Sequence, residues 1–243
     1  MKKLLKKHLK NFLFKRGYEV TFLGKRNLLN MNPFIGIKSE IRSEFPIFFD
    51  VGVNHGQTLD KIQELYPKAI IHGFEPSKKC FESILGKPRN KEVVLNNKAV
   101  GDQVGILDFN QYSWDALSSL LKREFTASTL LETYKVEVVT LDSYCEEFDI
   151  DHINVLKTDT EGYELKVLQG AKRLFQNNKI QFVLVELFFE PHFVGQSSAG
   201  DIMNFLFEHQ FRLVRFYDFE RSSIGYVSRT DALFINSNFG SVQ

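Results

Sequence analysis

The sequence predicts an α/β protein with a doubly wound, mostly parallel sheet that ends in an antiparallel C-terminal hairpin. Two observations predict this fold. Short apolar runs alternate with helix-forming stretches along the chain, which is typical of parallel sheets, and the last two apolar runs are separated only by a short polar link. At 243 residues the chain is long enough for one such domain with an extension.

The first 44 residues are predicted to be a basic, amphipathic N-terminal extension, ahead of a domain that spans residues 45–243. Near the start of the chain, apolar residues share one face of a predicted helix and lysines lie largely on the others. The apolar residues are Leu5, Leu9, Phe12 and Leu13, and the lysines are Lys3, Lys6, Lys7 and Lys10. An anionic membrane surface, a partner subunit in an oligomer and plain solvent all suit such a helix.

Composition narrows the location and the partners. The net charge of +1 at pH 7 lacks the basic footprint of a nucleic-acid binder, so we expect no nucleic acid partner. Cys80 and Cys145 are too few for a disulfide framework, which favours a reducing compartment. Residues 1–30 lack the uninterrupted apolar stretch of a signal peptide or a membrane span. We therefore expect a cytoplasmic protein, with peripheral contact at the inner membrane surface as a secondary hypothesis.

The domain opens with two predicted strand–loop–helix units. The segment "IFFDV" that starts at Ile47 reads as a buried strand, followed by the glycine loop of "VGVNHG" and a helix. The next strand, "AIIHGF", ends before Glu75 and Pro76, and Ser77 can cap the helix that runs to about Leu85.

Further strands are predicted up to the C-terminus. One spans residues 92–100, and "VGILDFN" forms a short segment in a hairpin. Residues 111–134 are polar and aperiodic, so we predict a variable insertion or mobile loop there. The remaining strands lie in "VEVVTLDSYCEEF", "INVLKTDTEGYELKVLQGAKRLF", "KIQFVLVELFFEPHF", "SAGDIMNFLFEHQFRLVRFY" and "DALFINSNF", with helices after the first two and at the start of the fourth.

Polar residues follow these strands where each one ends, which is the edge at which open α/β sheets bind ligands. Gly52 and Gly56 lack a Cβ, so their loop can bring backbone N–H groups close to a ligand. Glu75 lies 23 residues after Gly52, the spacing at which an acid at the end of the second strand accepts hydrogen bonds from ribose hydroxyls. A carboxylate that only stabilises the following helix is the alternative for Glu75.

The glycine loop favours a methyl donor over NAD. Dinucleotide sites use G-x-G-x-x-G around a pyrophosphate, whereas here Asp50 precedes the loop and would repel that group. The same acid can accept the ammonium of an amino-acid tail, and S-adenosylmethionine has such a tail, a ribose and no phosphate. The predicted cofactor-binding residues are Asp50, Gly52, Asn54, Gly56, Glu75, Ala99 and Asp159.

Six segments make the chain resemble the FkbM family of S-adenosylmethionine-dependent methyltransferases. They are "FDVGVNHGQT", "GFEPSKKCFESI", "NNKAVGD", "VVTLDSY", "INVLKTDTEGYELKVLQGA" and "FVLVEL", between about Pro46 and Glu186. The chain departs from the family pattern at Thr158 and His55, and neither change removes a charged group. The resemblance implies a Rossmann-like, seven-stranded class I methyltransferase fold and methyl transfer to a hydroxyl of a sugar, glycoconjugate or related natural product.

Such a transfer needs the hydroxyl aligned with the methyl group and relieved of its proton. Asp159, at the end of the strand in "INVLKTD", is the first candidate for this role. Because a carboxylate is a weak base for an alcohol, we expect a helper: His192, Glu186, or a divalent cation such as Mg²⁺ on Asp159, Glu161 and Glu186. Each residue also has a purely structural alternative. Glu161 can cap the following helix, Glu186 can be a buried acid that is hydrogen-bonded to backbone N–H groups, and His192 can be an ordinary loop residue.

Two other functions stay open from the sequence. One is an NAD-dependent oxidoreductase, although no obvious Tyr-x-x-x-Lys set is present. The other is a non-catalytic binding module on the same fold. The acceptor, a small molecule or carbohydrate, is expected to lie against residues 111–134 and the loop after Glu190.

Overall fold

The structure, a computed structural model, describes residues 2–18, 31–124 and 128–240 and confirms the α/β architecture. Its strands are β1 (Ile47–Val51), β2 (Ile70–Phe74), β3 (Val93–Asn96), β4 (Ala99–Val100), β5 (Gly105–Tyr112), β6 (Leu130–Val139), β7 (Ile153–Thr158), β8 (Ile180–Phe188), β9 (Phe211–Arg221) and β10 (Val227–Asn236). Its helices are α1 (Lys2–Phe14), α2 (Pro33–Gly36), α3 (Gln57–Leu65), α4 (Lys78–Leu85), α5 (Leu141–Glu147), α6 (Glu164–Gln169), α7 (Lys172–Gln176) and α8 (Ala199–Glu208).

The main sheet has seven strands in the order β3-β2-β1-β7-β8-β10-β9. The first five of that order run parallel, and β10 pairs antiparallel with both β8 and β9. The chain therefore builds outward from β1 to β3 and returns to add β7 on the other side of β1. This reversal opens a crevice beyond the carboxyl ends of β1 and β7, which is where ligands bind in such sheets.

Two hydrophobic cores lie on opposite faces of the sheet. Successive side chains of a strand alternate between faces, so Phe48 joins the core that holds Leu59 of α3, whereas Phe49 joins the core that holds Ile202 of α8. Both phenylalanines are at most 1% exposed, and burying each contributes about 2–3 kcal/mol. This double burial explains why β1, β7 and β8 read as continuous apolar runs.

Apolar residues ahead of the predicted domain start at residue 45 pack in the core of the domain. Phe34 and Ile37 are 4% and 1% exposed and pack in the same core as Phe48. The Tyr66 hydroxyl also donates a hydrogen bond to the Phe34 carbonyl, at 2.5 Å. Phe34 and Ile37 both fall within the predicted extension of residues 1–44. We therefore propose that the domain begins before Pro33.

The predicted strand at residues 92–100 is two strands in two different sheets. β3 ends the main sheet, whereas β4 pairs with β6 in a small sheet of order β4-β6-β5. Asn97 lies in the break between them and donates a side-chain hydrogen bond to the Glu75 carbonyl, at 2.8 Å. This contact ties the break to the loop that follows β2.

The prediction of a mobile loop at residues 111–134 is wrong at both ends. β5 continues to Tyr112, β6 begins at Leu130, and the two strands pair antiparallel as the predicted hairpin. Some polar side chains in this range bond to the fold: the Ser119 hydroxyl donates to the Glu161 carbonyl, and the Gln111 amide donates to Asp115. β5 and β6 expose apolar as well as polar side chains, so their sequences show no clear alternation of apolar and polar residues.

The C-terminal hairpin is confirmed but longer than predicted, because β10 begins at Val227. The Ser77 side chain caps α4 by accepting from the Cys80 backbone N–H, as predicted. Cys80 and Cys145 are both free and buried. Within the described part of the chain, every helix is too short or too polar to traverse a bilayer.

Candidate active site

A cavity of about 340 Å³ opens at the crevice beyond β1 and β7. Its wall contains the residues at or just beyond the ends of four strands: Gly52 after β1, Glu75 after β2, Asp159 after β7 and Glu186 near the end of β8. The topology brings them together because parallel strands end at the same edge of a sheet. Ala99 of β4 and Asn54 of the glycine loop line the same cavity. Most of the residues predicted from strand ends therefore share one site.

Glycine is required at position 52. Its φ of +86° is in the left-handed region, and a Cβ there would lie 1.9 Å from the backbone oxygen of Asp159. Val51 and Asp159 are joined by a backbone hydrogen bond of 3.0 Å, from the Asp159 N–H to the Val51 carbonyl. The absence of a side chain at Gly52 thus lets the loops after β1 and β7 touch. Gly56, also with φ of +86°, begins the turn into α3.

Backbone N–H groups hold both carboxylate oxygens of Glu75. One carboxylate oxygen accepts the Asn54 N–H at 2.6 Å, and the other accepts the Ser77 N–H at 2.8 Å. Glu75 is 6% exposed, and burial raises its pKa to about 7 although these two hydrogen bonds favour the ionised form. Each oxygen keeps a lone pair for a further donor such as a hydroxyl.

Asp50 does not line the cavity. It is fully buried beneath the glycine loop, and one of its oxygens lies 3.2 Å from the ammonium of Lys157. Neither oxygen has a hydrogen bond of good geometry, and burial raises the pKa of this carboxyl. The structure thus does not bring Asp50 to the position expected for contact with an amino-acid tail. Its buried position behind the strand end could not be read from its place in the sequence.

Three carboxylates converge at the other end of the cavity. Asp159, Glu161 and Glu186 each offer an oxygen within 4.8 Å of the other two. Lys157 donates to Asp159 at 3.2 Å, and Arg229 lies 3.0 Å from Glu186. Glu161 and Glu186 are each 7% exposed, and one oxygen of each is buried without a hydrogen-bond partner. We call Asp159, Glu161, Glu186 and Arg229 the reaction-end cluster.

Burial and mutual repulsion disfavour negative charge in this cluster. Burial is the main cause that raises the pKa of Glu161, and the neighbouring charge of Asp159 adds to it. The pKa of Glu186 is raised by burial and then by Asp159 and Glu161. Arg229 opposes both shifts, with its guanidinium 3.6 Å from Glu161. These groups can accept a proton or attract a cation, and they disfavour an anionic ligand.

Glu164 has a structural task nearby. It is fully buried, and one oxygen accepts from the Thr160 N–H, the Thr160 hydroxyl and the Gly162 N–H. These bonds fix the loop that carries Glu161, whose φ is +55°. Glu161 therefore faces the cavity ahead of α6 instead of capping it, since the helix begins only at Glu164.

His192 lies apart from the cavity wall. Its Nε2 is 2.7 Å from the Ser228 hydroxyl, its ring packs on Phe188, and its Nδ1 is 3.5 Å from Arg123. Burial, followed by the charges of Arg123 and Arg229, lowers its pKa. The structure does not bring His192 together with Asp159 and Glu186.

The C-terminal hairpin supplies residues that the sequence analysis missed. Arg229, Asp231, Asp218 and Glu220 all line the cavity. Arg229 and Asp231 are two residues apart on β10, a spacing that puts both on one face of the strand. This alternation could have indicated them, but the last strand was predicted to start only at Asp231.

Comparison with known proteins shows the family of the chain. The sequence model of the methyltransferase FkbM domain matches residues 50–213, which is more than half of the chain. The chain belongs to the FkbM methyltransferase family. It therefore contains an S-adenosylmethionine-dependent methyltransferase domain, and the resemblance stated from the strand-end motifs is confirmed. Family membership also favours a methyl donor over NAD.

Individual relatives agree. The 2-O-methyltransferase NoeI of Sinorhizobium fredii (strain NBRC 101917 / NGR234) is 26% identical over 188 residues, which cover 70% of this chain and 74% of NoeI. The structure of a methyltransferase FkbM from Methylobacillus flagellatus KT is similar over 82% of this chain, with 12% identity and a TM-score of 0.52. This chain spans 45% of that protein's length, so the similarity concerns its fold.

Proposed function

We propose that this protein transfers the methyl group of S-adenosylmethionine to a hydroxyl oxygen of a sugar, glycoconjugate or related natural product. The observation that carries the proposal is a cavity that spans the ends of several strands: Glu75 follows β2 at one end, and the reaction-end cluster lies beyond β7 and β8, two and three strands away in the sheet. The similarity to a 2-O-methyltransferase supports oxygen as the acceptor atom.

The cofactor end is proposed to hold the nucleoside. Glu75 would accept the ribose hydroxyls on the lone pairs left free by its two backbone hydrogen bonds. Gly52 and Asn54 would bring the loop backbone against the methionine part, and Ala99 would contact the base. Gly56 does not line the cavity and would contribute only by turning the chain into α3. Asp50 would act indirectly, by holding the ammonium of Lys157, which in turn bonds to Asp159.

The reaction end is proposed to prepare the acceptor. The cofactor supplies an activated methyl carbon, so what remains for the protein is to orient the hydroxyl oxygen and receive its proton. Asp159 is the first candidate because it is the most exposed of the three carboxylates, with 38% of its side chain accessible. Glu186 would accept a second hydrogen bond from the acceptor through its unpartnered oxygen. His192 would act only if the acceptor bound outside the cavity wall.

A divalent cation such as Mg²⁺ is a second candidate for activating the hydroxyl. Oxygen atoms of Asp159, Glu161 and Glu186 are the ligand type that Mg²⁺ prefers, and they lie close enough together to share an ion. Arg229 and Lys157 already supply positive charge at this place, so the proposed transfer does not depend on a metal. Activity in EDTA, compared with activity after Mg²⁺ is restored, distinguishes the two cases.

A methyl-transfer assay with isotope-labelled donor tests the proposal. Acceptors would include neutral sugars, amino sugars and uronic acids. Each product would be analysed to find which of its atoms carries the labelled methyl group. Label on oxygen, strongest with neutral or amino-bearing acceptors, is expected because the reaction end disfavours anions. Label found only on nitrogen or carbon would contradict the proposal, and cofactor binding without any transfer would instead favour a non-catalytic module.

A further inference from the structure

Helix α1 exposes an apolar face. Leu5, Leu9 and Phe12 are 73%, 46% and 51% exposed, and Leu13, on the same face, is half-buried. All other described side chains between residues 4 and 18 are exposed. An apolar stripe of this size on a surface helix marks a place where something docks.

The segment that carries this stripe is strongly basic. Residues 1–18 contain seven basic side chains and no acidic one. They are Lys2, Lys3, Lys6, Lys7, Lys10, Lys15 and Arg16. Because the whole chain has a net charge of only +1, the rest of the protein is net negative. An anionic surface would therefore attract α1 and repel the body of the domain.

We propose that α1 binds an anionic lipid bilayer, lying in the plane of the interface with its apolar face toward the acyl chains. At 13 residues the helix is about 20 Å long, too short to cross the roughly 30 Å hydrocarbon core. The guanidinium of Arg16 lies 4.1 Å from the ring centre of Phe12, so a cation stands at the edge of the apolar stripe, level with lipid head groups. The proposal is independent of the acceptor and of the catalytic residues.

A second copy of the chain is a less suitable occupant. Pairing two α1 helices through their apolar faces would bring ten lysines together with no acidic residue from either helix to compensate. A bilayer that contains anionic lipids provides both the apolar depth and the compensating charge.

Co-sedimentation of the full chain with vesicles tests the proposal. Vesicles of phosphatidylcholine with about 30% phosphatidylglycerol would be compared with vesicles of phosphatidylcholine alone. We expect binding to the first, little binding to the second, and weakening by high salt. The triple variant K6E/K7E/K10E should bind on the order of 100-fold less, since each basic residue near such a surface contributes about fivefold. L9D/F12D should also lose binding.

Matched variants and a size measurement keep the test decisive. K61E/K91E/K172E reverses three exposed lysines on the body of the domain and should bind vesicles like the wild type. Equal loss in that variant, or no vesicle binding by the wild type, would overturn the proposal. The proposal would also be overturned if the wild type formed a dimer in light scattering, L9D/F12D dissociated that dimer, and neither protein bound vesicles. Thermal unfolding checks that each variant is folded.

Discussion

The two ends of the cavity differ in how their polar groups are satisfied. At the cofactor end, both oxygens of Glu75 accept backbone N–H groups from the protein itself. At the reaction end, Glu161 and Glu186 each keep a buried oxygen without a partner. Unpartnered buried oxygens are costly, and a catalytic role, a bound ion and an ordered water are among the usual reasons for keeping them. On the proposed assignment, backbone N–H groups fix the carboxylate that would bind the ribose, whereas the carboxylates that would meet the acceptor are held by the side chains of Lys157 and Arg229.

The largest effect is expected from D159N at the reaction end. Removing the carboxylate that orients or deprotonates the acceptor should lower kcat about 10²–10⁴-fold. Affinity for S-adenosylhomocysteine should change less than about fivefold, because the nucleoside contacts lie at the other end. D108N, in an exposed Asp–Lys pair with Lys135, is the matched control and should leave both unchanged. A large loss of affinity with kcat preserved would show that the two ends do not divide the work in this way.

The next largest effect is expected on stability, at the contact between the loops that follow β1 and β7. G52A should lower the free energy of unfolding by about 3 kcal/mol or more, because the new Cβ meets the Asp159 backbone as well as an unfavourable φ. G225A has a similar φ of +91° with nothing within 4 Å of the added Cβ, so it should cost only about 1–2 kcal/mol. Chemical denaturation measures both values. Equal costs would mean that the close approach at Gly52 contributes nothing.

A pH dependence of stability should appear at the cofactor end in the ligand-free protein. The pKa of Glu75 is raised by burial from an ordinary value near 4.5 to about 7, so the folded state holds its proton more tightly than the unfolded state. Its contribution to stability is greatest below pH 4.5 and is lost as the pH rises through 7. Relative to E75Q, the wild type should lose about 3 kcal/mol over this range, on the order of 1.4 kcal/mol per pKa unit.

Denaturation of both proteins at several pH values measures this difference. The free energy of unfolding of E75Q should differ from that of the wild type by a constant amount, because the amide NH₂ of the glutamine must face one backbone N–H. Only the change of this difference with pH is therefore informative. E92Q changes a more exposed glutamate and should follow the wild type at every pH. If the difference in free energy of unfolding between the wild type and E75Q does not vary with pH, Glu75 is not buried as described.

The smallest effect is on cofactor affinity. E75A should weaken binding of S-adenosylhomocysteine about 10–100-fold through loss of charge-assisted hydrogen bonds to the ribose. Calorimetric titration measures the change, with E92A as the control that should bind like the wild type. Unchanged affinity in a folded E75A protein would remove the ribose from the proposed position.

Much of the cofactor end could be predicted from the sequence because its residues follow strands directly. Gly52 and Glu75 needed only the strand ends and their spacing, and the parallel sheet brings them together. The break at Asn97 was missed because apolar residues on both sides of it were read as one strand, although the asparagines and lysine at 96–98 are unfavourable in strands. The burial of Asp50 was missed because a strand-end position does not say which way a side chain faces.

The reaction end was predicted only in part, because Arg229, one of its four residues, comes from the C-terminal hairpin. β10 inserts between β8 and β9, which sets Asp231 opposite Glu186 and puts Arg229 one strand away from Glu186 and 3.6 Å from Glu161. No local pattern in the sequence specifies that long-range register. The same register places Arg229 beside Glu161 and Glu186, whereas His192 lies apart from them and Lys157 is the cation beside Asp159.

This cavity is proposed to bind an S-adenosyl nucleoside at its cofactor end. Calorimetric titration of the wild-type protein with S-adenosylhomocysteine, with NAD as a parallel titrant, tests it most directly. We predict micromolar binding of S-adenosylhomocysteine, stoichiometry of about one per chain and no binding of NAD. Binding of NAD without S-adenosylhomocysteine, or of neither by a folded protein, would contradict the account.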